Sequence, residues 1–207
     1  MKGCLRLFGY LLIVVVLIGA CSMIFGDDEE NSSDKEEKTE KTVQKEEKPK
    51  EEKPKEVQVK QDEFEAYAQN ITGGPFIKNI SVKDNKGHVD YFGNYEEYKK
   101  ANPDSQVTEE SYKQYFDSGD AIEKILVSEN VRLLREFPDL KSTSMSLPYE
   151  GKEYSINLNR QHANEYLGFK IEDLNTEDGS WEEKFVSAIV YNDVERQKFF
   201  NEFVTVK

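Results

Sequence analysis

The sequence predicts one α+β domain that follows an N-terminal membrane anchor and a charged spacer. Residues 7–26 carry no charge, and residues 27–60 contain no aromatic side chain. The remaining residues, 61–207, hold most of the aromatic side chains and mix hairpin patterns with helical patterns. Hairpins interspersed with helices, without regular β–α–β alternation, are typical of α+β folds. The chain is therefore divided into segments 1–26, 27–60 and 61–207.

The first segment has the length and flanking charges of a membrane element. As a helix, its twenty uncharged residues would span roughly 30 Å, which matches the hydrocarbon core of a bilayer. Lys2 and Arg6 precede this stretch, and four acidic residues follow it from Asp27. Because basic residues stay on the cytoplasmic side, the sequence predicts a cell-membrane protein with everything after Gly26 outside the cytoplasm.

The end of this apolar stretch reads Leu17-Ile18-Gly19-Ala20-Cys21. It resembles the lipobox of bacterial lipoproteins of the Gram-positive type, in which a cysteine after two small residues is lipidated and becomes the new N-terminus. The resemblance covers the leader alone and implies lipid attachment at Cys21. Met23, Ile24 and Phe25 depart from it, because polar residues normally follow such a cysteine. They extend the apolar run to full spanning length, as in a signal-anchored envelope protein, so both interpretations stay open.

The second segment is predicted to be disordered and extended. Its aliphatic side chains are Val43, Val57 and Val59. Pro49 and Pro54, in a tandem Glu-Glu-Lys-Pro-Lys repeat, prevent a continuous helix. Such a composition buries too little apolar surface to offset the entropy of ordering. We therefore expect a spacer that holds the domain away from the membrane.

The first half of the domain is predicted to hold one hairpin between helices. Residues 61–71 place apolar side chains on one helical face. Residues 76–92 alternate on either side of an Asp-Asn-Lys-Gly turn, which is typical of a hairpin. Asn94 and Thr108 then occupy N-cap positions of two short helices.

A long apolar stripe follows and predicts the central helix. It runs from Asp120 to about Phe137, with Asp120 and Glu123 as its starting pair. The stripe is wide enough to require burial on more than one side. A second hairpin is predicted from residues 144–158, with its turn at Gly151.

The last third is predicted to alternate between helix and strand. Asn159 caps a short helix that Gly168 closes, and residues 169–174 are extended. Residues 185–191 (FVSAIVY) have high β propensity and predict a strand. Asn192 then caps a terminal helix.

The charge of the domain excludes several classes of partner. The chain carries −13, of which residues 61–207 contribute −11. Such a surface repels nucleic-acid phosphates and anionic lipid headgroups. Both cysteines, Cys4 and Cys21, precede the domain, so the domain forms no internal disulfide.

No catalytic, cofactor-binding or metal-ligating residue is predicted. His88 and His162 do not stand in a metal-binding spacing and are predicted to be surface residues. Asp173–Gly179 resembles a calcium loop, but Lys184 stands where a bidentate Glu is needed, so an exposed acidic turn is expected. No G-x-S-x-G nucleophile motif occurs.

Aromatic residues are the remaining candidates for recognition. Tyr91, Phe92, Tyr95 and Tyr98 lie within eight residues of sequence. Tyrosine combines an apolar ring with a polar tip and is enriched in interfaces, so these four are predicted as a binding surface. The alternative is that aromatic residues at helical spacing belong to the core.

Two hypotheses for function follow. The first is a non-enzymatic, membrane-tethered module that binds an envelope protein or wall polymer and needs no cofactor. By analogy of architecture with small lipoproteins of mobile elements, its role would be surface exclusion or immunity. The alternative is a cell-envelope hydrolase that uses carboxylate or serine chemistry outside any recognisable motif.

Overall fold

A five-stranded sheet with helices on one side confirms the predicted α+β class. The computed structural model describes residues 57–117 and 119–207. The strands are β1 (Ile77–Lys83), β2 (Lys86–Tyr91), β3 (Ser142–Tyr149), β4 (Lys152–Asn159) and β5 (Val204–Val206). The helices are α1 (Gln61–Ala68), α2 (Tyr95–Ala101), α3 (Glu109–Phe116), α4 (Asp120–Lys124), α5 (Asn130–Glu136), α6 (Arg160–Leu167) and α7 (Asp193–Phe203).

The strands lie in sequence order across the sheet, and one pair is parallel. Both predicted hairpins are confirmed: β1 pairs with β2 and β3 pairs with β4, each antiparallel. β2 and β3 are parallel, with Lys86 opposite Ser142 and Asp90 opposite Ser146. The connection between them contains α2, α3, α4 and α5. β5, which the sequence analysis missed, adds to the free side of β4.

The two faces of the sheet differ in chemistry because strand side chains alternate. The inner face carries apolar residues such as Val89, Met145 and Ile156, and the helices pack against it. The other face, which we call the open face, is polar and partly exposed. By strand register its members form two rows across the sheet: Ser81, His88, Ser144 and Asn157, and next to them Asn79, Asp90, Ser146, Ser155 and Thr205.

The central helix is confirmed, but its middle is wider than an α-helix. A π-helical segment, Ile125–Glu129, joins α4 to α5. All five of its residues are buried: Ile125, Leu126 and Val127, as the wide apolar stripe predicted, and also Ser128 and Glu129, which the stripe did not include. The proposed start was wrong in one respect: the N-cap is Gly119, without a side-chain hydrogen bond. The carboxylate of Asp120 pairs instead with Lys124 and Arg196.

The other predicted caps are confirmed. Asn94, Thr108, Asn159 and Asn192 each accept a hydrogen bond from a backbone N–H in the first turn of the following helix. Gly168 ends α6 in the left-handed conformation, which a residue without Cβ adopts at little cost.

Two predictions for the last third are wrong. Residues 185–191 do not form a strand, because Glu182–Val190 is π-helical. This second π-helical segment buries Phe185 and Val190, while Ser187 and Ala188 stay exposed. Residues 169–174 contain a short 3₁₀ helix, Ile171–Asp173, where an extended segment was predicted.

Side-chain amides occupy the outer side of the β1–β2 hairpin. Gln61 donates to the Ile80 carbonyl at 3.0 Å and accepts from the Val82 N–H at 2.7 Å, so it pairs with β1 as a neighbouring strand would. The side chain of Asn85 pairs in the same way with the segment that precedes α1. It accepts from the Val59 N–H at 2.9 Å and donates to the Val57 carbonyl at 2.7 Å. Residues 57–60, which the sequence analysis placed in the spacer, are thus bonded to the domain.

Candidate functional site

Three of the four residues predicted as a binding surface belong to the core. Tyr91, Phe92 and Tyr98 are 1%, 7% and 4% exposed, so their rings are not available to a partner. Phe76 contacts both α2 and α3. Its ring centroid lies 5.4 Å from that of Tyr98 on α2 and 5.1 Å from that of Tyr112 on α3. Only Tyr95 is partly exposed. The alternative interpretation, core packing of aromatic residues at helical spacing, holds for the other three.

Tyr95 lines a groove that the sequence did not indicate as a whole. The groove lies between α2, α3 and the turn that joins β3 to β4, and its volume is about 240 Å³. Tyr112 from α3 and Tyr149 from the end of β3 are nearly buried and form its floor. We call it the tyrosine groove. The rest of its lining is Gly93, Asn94, Glu96, Glu109, Lys113 and Glu150.

Each of the three tyrosines is held by its hydroxyl. Tyr95 donates to the Val107 carbonyl at 3.1 Å, Tyr112 to the Phe92 carbonyl at 2.8 Å, and Tyr149 to the Lys113 carbonyl at 3.3 Å. With the hydroxyl hydrogens engaged, the rings are held in place before any ligand arrives. A preorganised aromatic surface loses little entropy on binding.

The electrostatics of the groove favour a positively charged ligand. Burial raises the pKa of Tyr112 to about 12, and Glu97 and Tyr149 add to this rise. Burial also raises the pKa of Tyr149, with contributions from Glu150 and Asp117 that Lys113 opposes. Both phenols are therefore neutral at physiological pH. The negative electrostatic potential of the groove therefore comes from the carboxylates in its lining, Glu96, Glu109 and Glu150.

The open face carries a second candidate, which the sequence analysis did not assemble. His88 Nδ1 lies 2.7 Å from Ser144 Oγ, and His88 Nε2 lies 2.8 Å from Asp90 Oδ1. A serine, a histidine and an aspartate are thus in contact in the order of a nucleophile, a base and a group that orients the base. The parallel register of β2 and β3 places His88 opposite Ser144. His88 and Asp90 share a face by alternation, but nothing in the sequence indicates that Ser144 is their neighbour.

The strand that carries Ser144 does not supply a backbone donor for an acyl-transfer site. Ser144 lies on β3, whose backbone groups pair with β2 on one side and β4 on the other. No free N–H on this strand is therefore directed at a developing oxyanion, and such donors are worth a factor of about 10² to 10³ in turnover. Ser144 Oγ also lies 3.3 Å from the Gly87 carbonyl, to which it donates.

A wider groove beside α6 is built around a structural arginine. Its volume is about 660 Å³. The guanidinium of Arg160 donates to the carbonyls of Leu134, Phe137 and Leu140 and pairs with Glu172 at 3.1 Å. It thereby satisfies carbonyls at the C-terminal end of the central helix. Its donors are engaged within the protein.

Glu129 is the most deeply buried carboxylate in the part of the chain described. Its side chain is 1% exposed; Ser128 donates to Oε1 at 2.7 Å, and Arg132 Nη1 lies 3.3 Å from Oε2. π-Helical turns are common at functional sites. Solvent does not reach this carboxylate, however, so we assign it a structural role, in which it pairs with Arg132 in the central helix.

The acidic turn and the second histidine have structural partners. Asn175 accepts from the Glu177 N–H, and Asp178 accepts from the Ser180 N–H, each at 2.8 Å. His162 is exposed, as predicted, and its ring packs against Phe203 at 5.2 Å. Within residues 57–117 and 119–207, no group of three or more His, Cys, Asp or Glu side chains is placed to hold a metal ion.

The predicted lipid attachment at Cys21, the anchor and most of the spacer lie outside the described residues. Among the helices that the structure does describe, none has the length and apolar character to cross a bilayer. Comparison with known proteins found no matching family model, curated protein or solved structure.

Proposed function

We propose that this protein is a membrane-tethered binding module whose domain contacts an envelope protein outside the cytoplasm through the tyrosine groove. The groove itself is the observation that carries the proposal: the partly exposed ring of Tyr95 stands over the buried rings of Tyr112 and Tyr149 in an acidic domain. The uncharged segment 7–26 and the charged spacer support the tether. A role in surface exclusion or immunity is compatible with this architecture.

Photo-cross-linking in intact cells tests the proposal. We expect the full-length protein with benzoylphenylalanine in place of Tyr95 to form one defined adduct with an envelope protein, because this ring stands at the wall of the groove. Tyr191 is the matched control, since it is a tyrosine that does not line the groove and is 68% exposed.

Adducts identified by mass spectrometry should appear with the probe at Tyr95 and not at Tyr191. Equal adducts from both positions would show random encounter and reject the groove as the contact site. Protease added to intact protoplasts tests the tether separately, since residues after the spacer should be cleaved there.

A hydrolase is the second candidate, because Ser144, His88 and Asp90 are in contact on the open face. If Ser144 is a nucleophile, a fluorophosphonate probe should label the protein at this residue. Ser144→Ala should then abolish labelling, whereas Ser146→Ala, one position along the same face, should keep it. Absence of labelling on the unmodified protein rejects serine hydrolysis, which is the result that the paired backbone of β3 leads us to expect.

A further inference from the structure

The size of the tyrosine groove limits what can fill it. Clefts that hold drug-sized ligands or cofactors measure roughly 300–1,000 Å³. At about 240 Å³ the groove is smaller. It is therefore suited to one inserted side chain of a partner.

The rim of the groove carries unbalanced negative charge. Glu109 is paired with Lys113 at 2.6 Å, so these two charges compensate each other. Glu96 and Glu150 are exposed, and neither forms an ion pair with another described residue. The groove thus offers two available carboxylates beside the partly exposed ring of Tyr95, with Tyr112 and Tyr149 buried beneath.

A guanidinium meets both requirements at once. It is planar and weakly hydrated, stacks on aromatic rings, and presents several N–H donors in a geometry that fits carboxylates. Lysine offers a compact, strongly hydrated charge that stacks less well on a ring. The chemistry of the groove therefore selects arginine.

The arginines that the structure describes are engaged within their own domain. Arg160 and Arg196 are held by backbone carbonyls and carboxylates. Arg132 pairs with Glu129, and Arg135 lies 4.2 Å from the ring of Trp181. None of the arginines in the described residues is therefore free to fill the groove of a second copy, which favours an occupant from a different protein.

We infer that the tyrosine groove binds an arginine side chain of a partner protein, with Glu96 and Glu150 pairing with the guanidinium and Tyr95 packing against it. This inference rests on the proposed function and adds the chemistry of the contact. Arginine on a protein partner also fits the net charge of −11 on residues 61–207.

Titration of the ¹⁵N-labelled full-length protein in detergent micelles tests the inference. The probe is N-acetyl-arginine amide, and N-acetyl-citrulline amide is the neutral isostere. We expect arginine amide to shift the backbone resonances of Gly93 and Gly151 beside the groove, with a Kd in the millimolar range, and citrulline amide to leave them in place. Added salt should weaken binding.

Variants of the rim provide the second readout. Glu96→Gln and Glu150→Gln should each raise the Kd about two- to fivefold, as expected for exposed ion pairs. Glu165→Gln, an exposed glutamate on α6, is the control and should not change it. Equal shifts with citrulline amide, no shift with arginine amide, or an equal effect of the control variant would each overturn the inference. If one of these results occurs and Tyr95 still forms adducts, the proposed function stands and only the inference of an arginine ligand is rejected.

Discussion

Replacing Arg196 with alanine is expected to lower the free energy of unfolding by about 3 kcal/mol. Arg196 is 5% exposed and joins three elements. Its guanidinium donates to the Val190 carbonyl at 2.7 Å, to Asp120 at 2.7 Å and to Glu123 at 3.3 Å. Removing one partner of a buried ion pair typically costs about 3–5 kcal/mol. We expect the lower end, because the side chain of Asp120 is 43% exposed and water can solvate it in the variant.

Chemical and thermal denaturation measure this effect. For a domain of this size, the expected loss corresponds to a Tm lower by roughly 6–12 °C. Lys198→Ala is the matched control on the same helix, because Lys198 pairs with Glu195 at 2.8 Å but is 60% exposed. It should leave the free energy of unfolding nearly unchanged, because exposed ion pairs contribute little. Similar losses in the two variants would show that the cluster around Arg196 does not hold α7 to the start of the central helix.

Gly87→Ala is expected to destabilise the protein by about 3 kcal/mol, although alanine normally suits a strand better than glycine. A Cβ at this position would lie 2.5 Å from Phe64 Cζ and 2.9 Å from Phe64 Cε2. Phe64 is fully buried, and its ring centroid lies 5.4 Å from that of Phe137. The ring cannot retreat without disturbing the core, and overpacking of this kind costs about 1–3 kcal/mol or more.

A second substitution makes the cause testable. Phe64→Leu removes the end of the ring, so the double variant should be less destabilised than the sum of the single variants. We expect a coupling energy of at least about 1 kcal/mol in urea denaturation of the four proteins. Additive effects would contradict this prediction, as would a Gly87→Ala variant that is more stable than the parent.

Local chemistry made most of the elements predictable. Asn94, Thr108, Asn159 and Asn192 could be identified as caps because a short polar side chain satisfies an N–H of its own first turn. Both hairpins were predictable for a similar reason, since alternation and turn residues lie within one short stretch. Such signals require no knowledge of distant contacts.

Predictions failed where packing outweighed local preference. Residues 185–191 are rich in branched and aromatic side chains, which favour strands. Their helical conformation brings Phe185 against Trp181, with ring centroids 4.9 Å apart, and Arg135 lies over that same indole. β5 was missed because it directly follows α7 and is defined only by its pairing with β4.

The candidate sites depend on distant pairs of residues, which a single sequence does not reveal. Tyr95 and Tyr149 are 54 positions apart and meet because α2, α3 and the end of β3 surround one groove. Ser144 reaches His88 only through the parallel register of two strands. The aromatic cluster in the sequence indicated the region of the groove, but most of its members form the core beneath it.

The parallel pairing of β2 with β3 has a consequence for the kinetics of folding. Each hairpin closes over a few residues, so both can form within microseconds. Joining them brings together positions 56 residues apart, such as Lys86 and Ser142. Closing this loop costs conformational entropy, and that cost arises before the contacts between β2 and β3 can offset it. High contact order of this kind slows folding. We therefore expect the transition state to contain preformed hairpins, with the junction between them closing in the rate-limiting step.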